Sequence, residues 1–251
     1  MWQQVSFIKM REVRIMESPS KTLGILGGMG PAAGAEFMRL LAAKAPAQKD
    51  QEHPVIYMIS DPHIADRTAA MLGTGPDPTE HVKRRLMTLA GYGVDFLAVP
   101  CNTVHIFINR FRHELPTPLI HIVEETVKAC KKQSPKGAWL LATEATCKSR
   151  LYQDYAREIG YTFHEVTPEM QKRVTQALTL VKAGKMPESG TCMRGIVEDL
   201  WAVDAISIAT ACTELPLAYD ASGLPQEKSV SSLGALSDAC LRAIYGDAYD
   251  K

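Results

Sequence analysis

Twice in this chain a short apolar run of strand length leads into a cysteine, and the signals around it come in the same order both times. Val94-Asp95 opens the run that reaches Cys101, and Val203-Asp204 opens the run that reaches Cys212. Leu115-Pro116 then precedes Cys130 as Leu224-Pro225 precedes Cys240. An internal repeat of this length constrains the fold strongly, because both copies must be supersecondary units of one kind.

The first copy opens with Gly24-Ile25-Leu26, which runs into the turn Gly27-Gly28-Met29-Gly30-Pro31, and Ala32 to Leu41 then carries a helical pattern. A second apolar run, Val55 to Ile59, stops at Ser60-Asp61-Pro62. Thr79 to Tyr92 places Val82, Leu86, Leu89 and Ala90 on one helical face, and Asp95 to Val99 is a third buried strand, ending at Pro100-Cys101-Asn102-Thr103. In the second copy a strand over Ala138 to Ala142 meets a Thr/Glu-rich turn, Thr143 to Thr146, followed by a helix (Ser149 to Ile159) and a strand (Thr162 to Val166). Helices over Glu169 to Lys182 and about Arg194 to Trp201 lead to a strand at Ala205 to Ala209, which ends at Ala211-Cys212-Thr213-Glu214.

Alternating strands and helices predict an α/β protein of two pseudo-symmetric Rossmann-like domains with parallel sheets. Ligands of such sheets sit beyond the carboxyl ends of the strands, so two domains facing each other would bring both cysteines to an active site in the cleft between them. We divide the chain into a loosely ordered extension over 1–20, with Met10 or Met16 as a possible start, a first domain over 21–132 and a second over 133–251. The segment from about 225 to 251 is expected to pack back onto the first domain.

Composition narrows the partners. Lys+Arg and Asp+Glu each number 28, so no net charge favours nucleic acid or an anionic membrane, and a small molecule is the expected partner. The apolar runs fall far short of the roughly 20 residues of a membrane span, and the first twenty residues lack the apolar centre of a secretory signal. The six cysteines form no Cys-x-x-Cys pair and no Cys/His cluster suited to zinc, which fits reduced thiols in a cytoplasmic protein and no metal. The glycine turn lacks Gly-x-Gly-x-x-Gly spacing and is followed by no Gly-Lys-Ser/Thr, which argues against a nucleotide.

A buried cysteine is by default a small core residue, and Cys130, Cys147, Cys192 and Cys240 are read that way. Cys101 and Cys212 differ because they stand at matched positions 111 residues apart (212 − 101). Inverting a stereocentre by proton transfer needs a base on one face and an acid on the other, and a thiol with an ordinary pKa of about 8.5 can serve as either. His105, two residues past Thr103, is either a capping or core histidine or a contact that orients Cys101. His121, placed on the strand after Leu115-Pro116, is read as structural.

Leu26-Gly-Gly-Met-Gly-Pro31, Asp61-Pro62 with Asp66-Arg67-Thr68, Pro100-Cys-Asn-Thr103 and Cys212-Thr-Glu-Leu-Pro216 resemble the motifs of the aspartate/glutamate racemase family, over about Thr22 to Ile244. The resemblance implies a two-domain α/β fold, no cofactor, a homodimer, and a thiol/thiolate pair corresponding to Cys101 and Cys212. It also implies that Arg67 and Lys182 hold substrate carboxylates, that Met29 and Thr143 contribute to the substrate site, and that Asn102, Thr103, Thr213 and Glu214 flank the thiols. Arg suits a second carboxylate because its guanidinium pairs bidentately. Glu214 stands where cell-wall glutamate racemases typically have His, which places the chain on the aspartate-racemase side. The chain departs from the family pattern at Ala211, usually Gly, and at Gly34, usually Thr or Ser. The Ala211 methyl is expected to disturb the second half of the site if the backbone there needs glycine dihedrals.

The function expected on these grounds is interconversion of L and D forms of aspartate and/or glutamate, with broad specificity allowed. Alternatives are hydantoin racemisation, a maleate isomerase-like or decarboxylase reaction through one cysteine, and non-catalytic binding of an acidic ligand.

Overall fold

The computed structural model describes residues 19–250; the expectation for the extension and its start sites lies almost wholly outside them. The first half runs β1 (Leu23–Gly27), α1 (Pro31–Lys44), β2 (Ile56–Ser60), α2 (Arg67–Met71), α3 (Thr79–Ala90), β3 (Phe96–Ala98), α4 (His105–Ile108), β4 (Leu119–Ile120) and α5 (Ile122–Gln133). The second runs β5 (Ala138–Leu141), α6 (Glu144–Lys148), α7 (Leu151–Glu158), β6 (Phe163–His164), α8 (Pro168–Lys182), α9 (Met186–Val203), β7 (Ser207–Thr210), α10 (Leu215–Ser222), β8 (Ser229–Ser231) and α11 (Ser232–Tyr245).

The two four-stranded sheets have the same order, β2-β1-β3-β4 and β6-β5-β7-β8, and every pairing is parallel. Their registers match as well. Ile25 pairs with Ala98 and Leu140 with Ala209, so each cysteine lies three residues beyond an equivalent point of its sheet. This is the duplication that the repeated signals predict.

Three apolar cores hold the halves. One lies outside the first sheet, where α3 buries Val82, Leu86 and Leu89; another lies outside the second, where α8 and α9 bury Val174, Leu178 and Ile196. The third is shared: Phe37 and Ile25 from the first half pack in one cluster with Leu140, Tyr152 and Leu241 from the second. Each such side chain contributes roughly 1.5–3 kcal/mol by leaving water, so the halves are joined by the same force that builds each sheet. The last helix of each half crosses over. α5 packs on α7 and β8, while α11 packs on α1 and reaches β3 and β4.

Several local expectations change. The Thr143 to Thr146 turn is the start of α6, because Thr143 Oγ1 accepts from Thr146 N at 3.2 Å and caps the helix. α9 begins at Met186, eight residues before Arg194, and His121 is the N-cap of α5 rather than a strand residue. β8, α2, α5, α11 and the short helices after each cysteine lie outside the elements that the sequence pattern predicts.

Candidate active site

The glycine turn is explained by close approach. Gly28 takes φ +94°, and a β-carbon there would stand 2.4 Å from the Asp61 backbone, so β1 and β2 can end together only with glycine. Asp61 is buried, bonded to Arg85 at 2.6 Å and His81 at 2.9 Å, which lowers its pKa against the cost of burial. The β2–α2 connection is thereby anchored, and the N-cap Asp66, accepting from Ala69 N at 2.7 Å, starts the helix that carries Arg67.

Each thiol lies just past the carboxyl end of its strand. Cys101 comes off β3 with its amide donating to Val99 O at 2.8 Å; Cys212 comes off β7 after Ala211, whose amide donates to Leu141 O at 2.8 Å. Both are buried, and both line one cavity where the halves meet. From the first half Met29, Arg67, Asn102 and Thr103 share that lining; from the second come Thr143, Lys182, Thr213 and Glu214. Asp66 and Thr68 also line it, though the sequence singled out only the arginine between them. The cavity is only about 30 Å³, room for a water or two; an amino acid enters only if lining groups move.

The two thiols have unlike neighbours. Arg67 is half-buried, donates to the carbonyls of Ile64, Ala65 and Met29 at 3.1–3.3 Å, and pairs with no carboxylate among the described residues. Burial pushes the Cys101 thiol above its usual range, and the Arg67 charge opposes that rise. Cys212 donates its Sγ–H to Glu214 Oε2 at 3.1 Å, and Thr213 donates to the same oxygen at 3.1 Å. Burial and the Glu214 charge together push Cys212 well above the ordinary thiol range. The other Glu214 oxygen reaches across to Gly30, where a β-carbon would stand 3.4 Å away.

Thr103, at the position matching Glu214, also reaches across. Its hydroxyl bonds those of Thr143 and Thr146, each at 3.0 Å, closing a ring of three hydroxyls between the halves. Beneath Cys101, His105 Nδ1 meets the Cys101 carbonyl at 2.8 Å, which makes Nδ1 the protonated nitrogen, while its buried Nε2 has no partner among the described residues. His105 thus both packs in the core and fixes the cysteine's backbone. Lys182 is exposed at the last residue of α8, at the edge of the cavity.

The departures from the family pattern are benign. Ala211 is fully buried, does not line the cavity, and is not among the residues with positive φ, of which Arg150 is the sole non-glycine among those described. The expected conflict with glycine dihedrals does not arise. Gly34 faces the Met58 methyl, 2.8 Å from where a β-carbon would stand, so Met58 fills the space a Thr or Ser would take. A wider groove of about 500 Å³ lies along α6 and α8 and holds Cys147, whose thiol, raised by burial to about 11, donates to Gln171 Oε1 at 3.6 Å. Among the described residues no second cysteine lines that groove, so volume alone does not locate the chemistry.

Fold and site together define a duplicated α/β protein with one thiol from each copy at a small shared pocket. The chain belongs to the Asp/Glu/hydantoin racemase family, whose family model matches residues 26–230. It is 30% identical over 214 residues to the broad specificity amino-acid racemase RacX of Bacillus subtilis, covering 79% of this chain and 87% of that one. Its fold is similar to that of the aspartate racemase of Picrophilus torridus, with a TM-score of 0.79 at 25% identity over 90% of this chain and 94% of that one. A glutamate racemase of Bacillus anthracis shares the fold at 16% identity, with a TM-score of 0.63 over 91% and 84% of the two chains. Among the described residues no helix is long and apolar enough to cross a membrane.

Proposed function

We propose that this protein racemises an acidic amino acid, aspartate or glutamate, with tolerance for others, by passing a proton across the α-carbon between Cys101 and Cys212. The observation that carries this is the pair of buried thiols on one cavity with opposite charges beside them, Arg67 at Cys101 and Glu214 at Cys212. We read Cys101 as the thiol that ionises first, because Arg67 opposes the rise that burial and Glu214 impose on it, and Cys212 as the one that keeps its proton, held toward Glu214.

In one direction Cys101 takes the α-proton while Cys212 delivers its own to the opposite face, leaving Cys101 protonated and Cys212 a thiolate. The enantiomer is processed by the reverse transfer, or the resting state returns by proton exchange with water. A thiolate beside Glu214 is disfavoured, which drives that return. Arg67, which pairs with no carboxylate among the described residues, receives one substrate carboxylate, and Lys182 the other. Both proton movements are accounted for by the two thiols, so the reaction is read as needing no pyridoxal phosphate. The same proposal includes a cytoplasmic homodimer.

The test is a chiral assay over a panel of L- and D-amino acids with no cofactor added, run also in deuterated water. Formation of the opposite enantiomer with solvent deuterium at the α-carbon is expected, greatest for aspartate or glutamate. Protein that binds these acids but exchanges no α-proton would be a binding module instead.

A further inference from the structure

The chain contains only two asparagines, Asn102 and Asn109, and both lie in the segment that leaves β3 with Cys101. The side-chain oxygen of each faces a tyrosine of a single helix from the other half. Tyr152 donates to Asn102 Oδ1 at 2.6 Å, and Tyr155 approaches Asn109 Oδ1 at 3.4 Å. These tyrosines are three residues apart on α7, so one helical face meets both amides. Asn102 Nδ2 donates in turn to Ser232 Oγ at 3.0 Å, at the first residue of α11. Its second N–H has no acceptor among the described residues, and Asn102 lines the cavity beside Cys101.

Tyr152 and Ser232 are both fully buried and neither lines the cavity. The two ends of a carboxamide have nearly the same shape, so its orientation is chosen by its partners. Burial pushes the Tyr152 phenol far above its usual range, and it remains a donor. A carboxamide turned the other way would present oxygen to the substrate's carboxylate. We propose that Tyr152, together with Ser232, is a positioning residue for racemisation, fixing the Asn102 amide so that its remaining N–H is offered to the substrate carboxylate beside Cys101. This rests on the amino-acid racemase function proposed above, and adds that the second half of the chain orients the binding groups of the first.

With asparagine as the only 15N-labelled residue type, the protein shows two side-chain amide pairs, assigned by Asn109→Asp. In the unaltered protein the Asn102 pair is expected to be slow to exchange, and one of its two hydrogens to shift when racemic aspartate is added. In Tyr152→Phe the Asn102 pair moves and exchanges faster while the Asn109 pair stays. The same variant loses roughly tenfold in kcat/KM, mostly through KM, as when one hydrogen bond to a charged group is weakened. Because Tyr152 acts through Asn102, adding Tyr152→Phe to Asn102→Ala costs nothing further. Ser232→Ala gives the same pattern at smaller size, and carries the test if Tyr152→Phe does not fold. Unmoved Asn102 signals in both variants, or an equal loss in the Asn102→Ala background, would overturn the proposal. If the unaltered protein turns over no amino acid, the racemase function fails on its own, and the orientation of Asn102 is still decided by its signals.

Discussion

Cys101 and Cys212 occupy the same point of two copies of one fold, yet their surroundings are built in different ways. The first thiol is braced from a distance: Asn102 is held by Tyr152 and Ser232, Thr103 by Thr143 and Thr146, and the backbone carbonyl by His105. The second is braced by its own neighbours, Thr213 and Glu214, within two residues. Where the first copy has His105, the matched position 111 residues on is Pro216, which has no side-chain donor. The duplicated frame places a thiol at each crest, and the flanking residues make the two unequal: Arg67 opposes the rise at Cys101, whereas Glu214 raises Cys212 most strongly and Cys101 as well. The proposed pairing of acid and base uses both the symmetry and the inequality.

The strongest way to break the comparison is to remove one thiol at a time. Cys101→Ser and Cys212→Ser are each expected to lower racemisation by roughly 10²–10⁴-fold, the usual worth of a positioned acid or base. In deuterated water each variant should keep α-proton exchange for one enantiomer only, and the two variants for opposite enantiomers. A variant that exchanges both enantiomers would show that the remaining thiol reaches both faces, and the two-sided reading would fall.

Neutralising each charge in turn tests the asymmetry. Activity needs one proton on the thiol pair, so the pH profile rises as the first proton leaves and falls as the second does. Arg67→Gln removes the cation that opposes the rise of Cys101, so the acid limb should move to higher pH, with kcat/KM down roughly 10–100-fold from the lost carboxylate contact. Glu214→Gln removes a charge that holds Cys212 up and also raises Cys101, so both limbs should move to lower pH, the alkaline limb further. Profiles of kcat/KM for both enantiomers read these limbs, and equal shifts in the two variants would mean that the thiols are equivalent. Lys182→Gln should have the smaller effect on kcat/KM, because Lys182 is exposed where Arg67 is half-buried.

A smaller effect is expected on stability. Burial lowers His105 to about 4, so the folded protein keeps it neutral while the unfolded chain protonates it near 6.5. Its contribution is therefore intact above pH 6.5 and lost as pH falls toward 4, and amounts to roughly 2 kcal/mol between pH 7.5 and 5. His121, also lowered by burial, acts in the same direction. Urea denaturation at the two pH values should show a loss that shrinks in His105→Asn. An unchanged slope would mean that His105 does not hold the Cys101 segment in its neutral form.

Much of this frame is legible in the sequence, and the limits have physical causes. The three leading strands of each half read as apolar runs whose ends carry Gly, Pro, Ser or Thr, so both cysteine crests are visible, whereas β8, Ser229–Ser231, has two serines around one buried valine and no apolar run to mark it. α9 starts eight residues before the apolar pattern predicts, with Pro187 in its first turn, where proline is well suited. Gly190 inside that helix is there for contact: a β-carbon would stand 2.5 Å from Ala221 O, so it lets α9 and α10 pack closely. Residues flanking the thiols were found because their motif is local. Tyr152 and Ser232 were not, since their partner Asn102 lies 50 and 130 positions away and no short pattern marks them.

The smallest effect belongs to Ala211, where the sequence suggested the second half of the site was compromised. Its methyl is fully buried in the shared core, its backbone takes no left-handed conformation, and its amide is held by Leu141 O at 2.8 Å. Restoring glycine therefore relieves no strain; it removes a packed methyl and adds freedom to the unfolded chain. Ala211→Gly should lose about 0.5–1 kcal/mol of stability in urea titration and leave the order of preference among amino acids unchanged, because residue 211 does not touch the cavity. A reordered preference would place substrate selection in the backbone beneath Cys212, and the difference between the halves would then begin one residue earlier than Thr213 and Glu214.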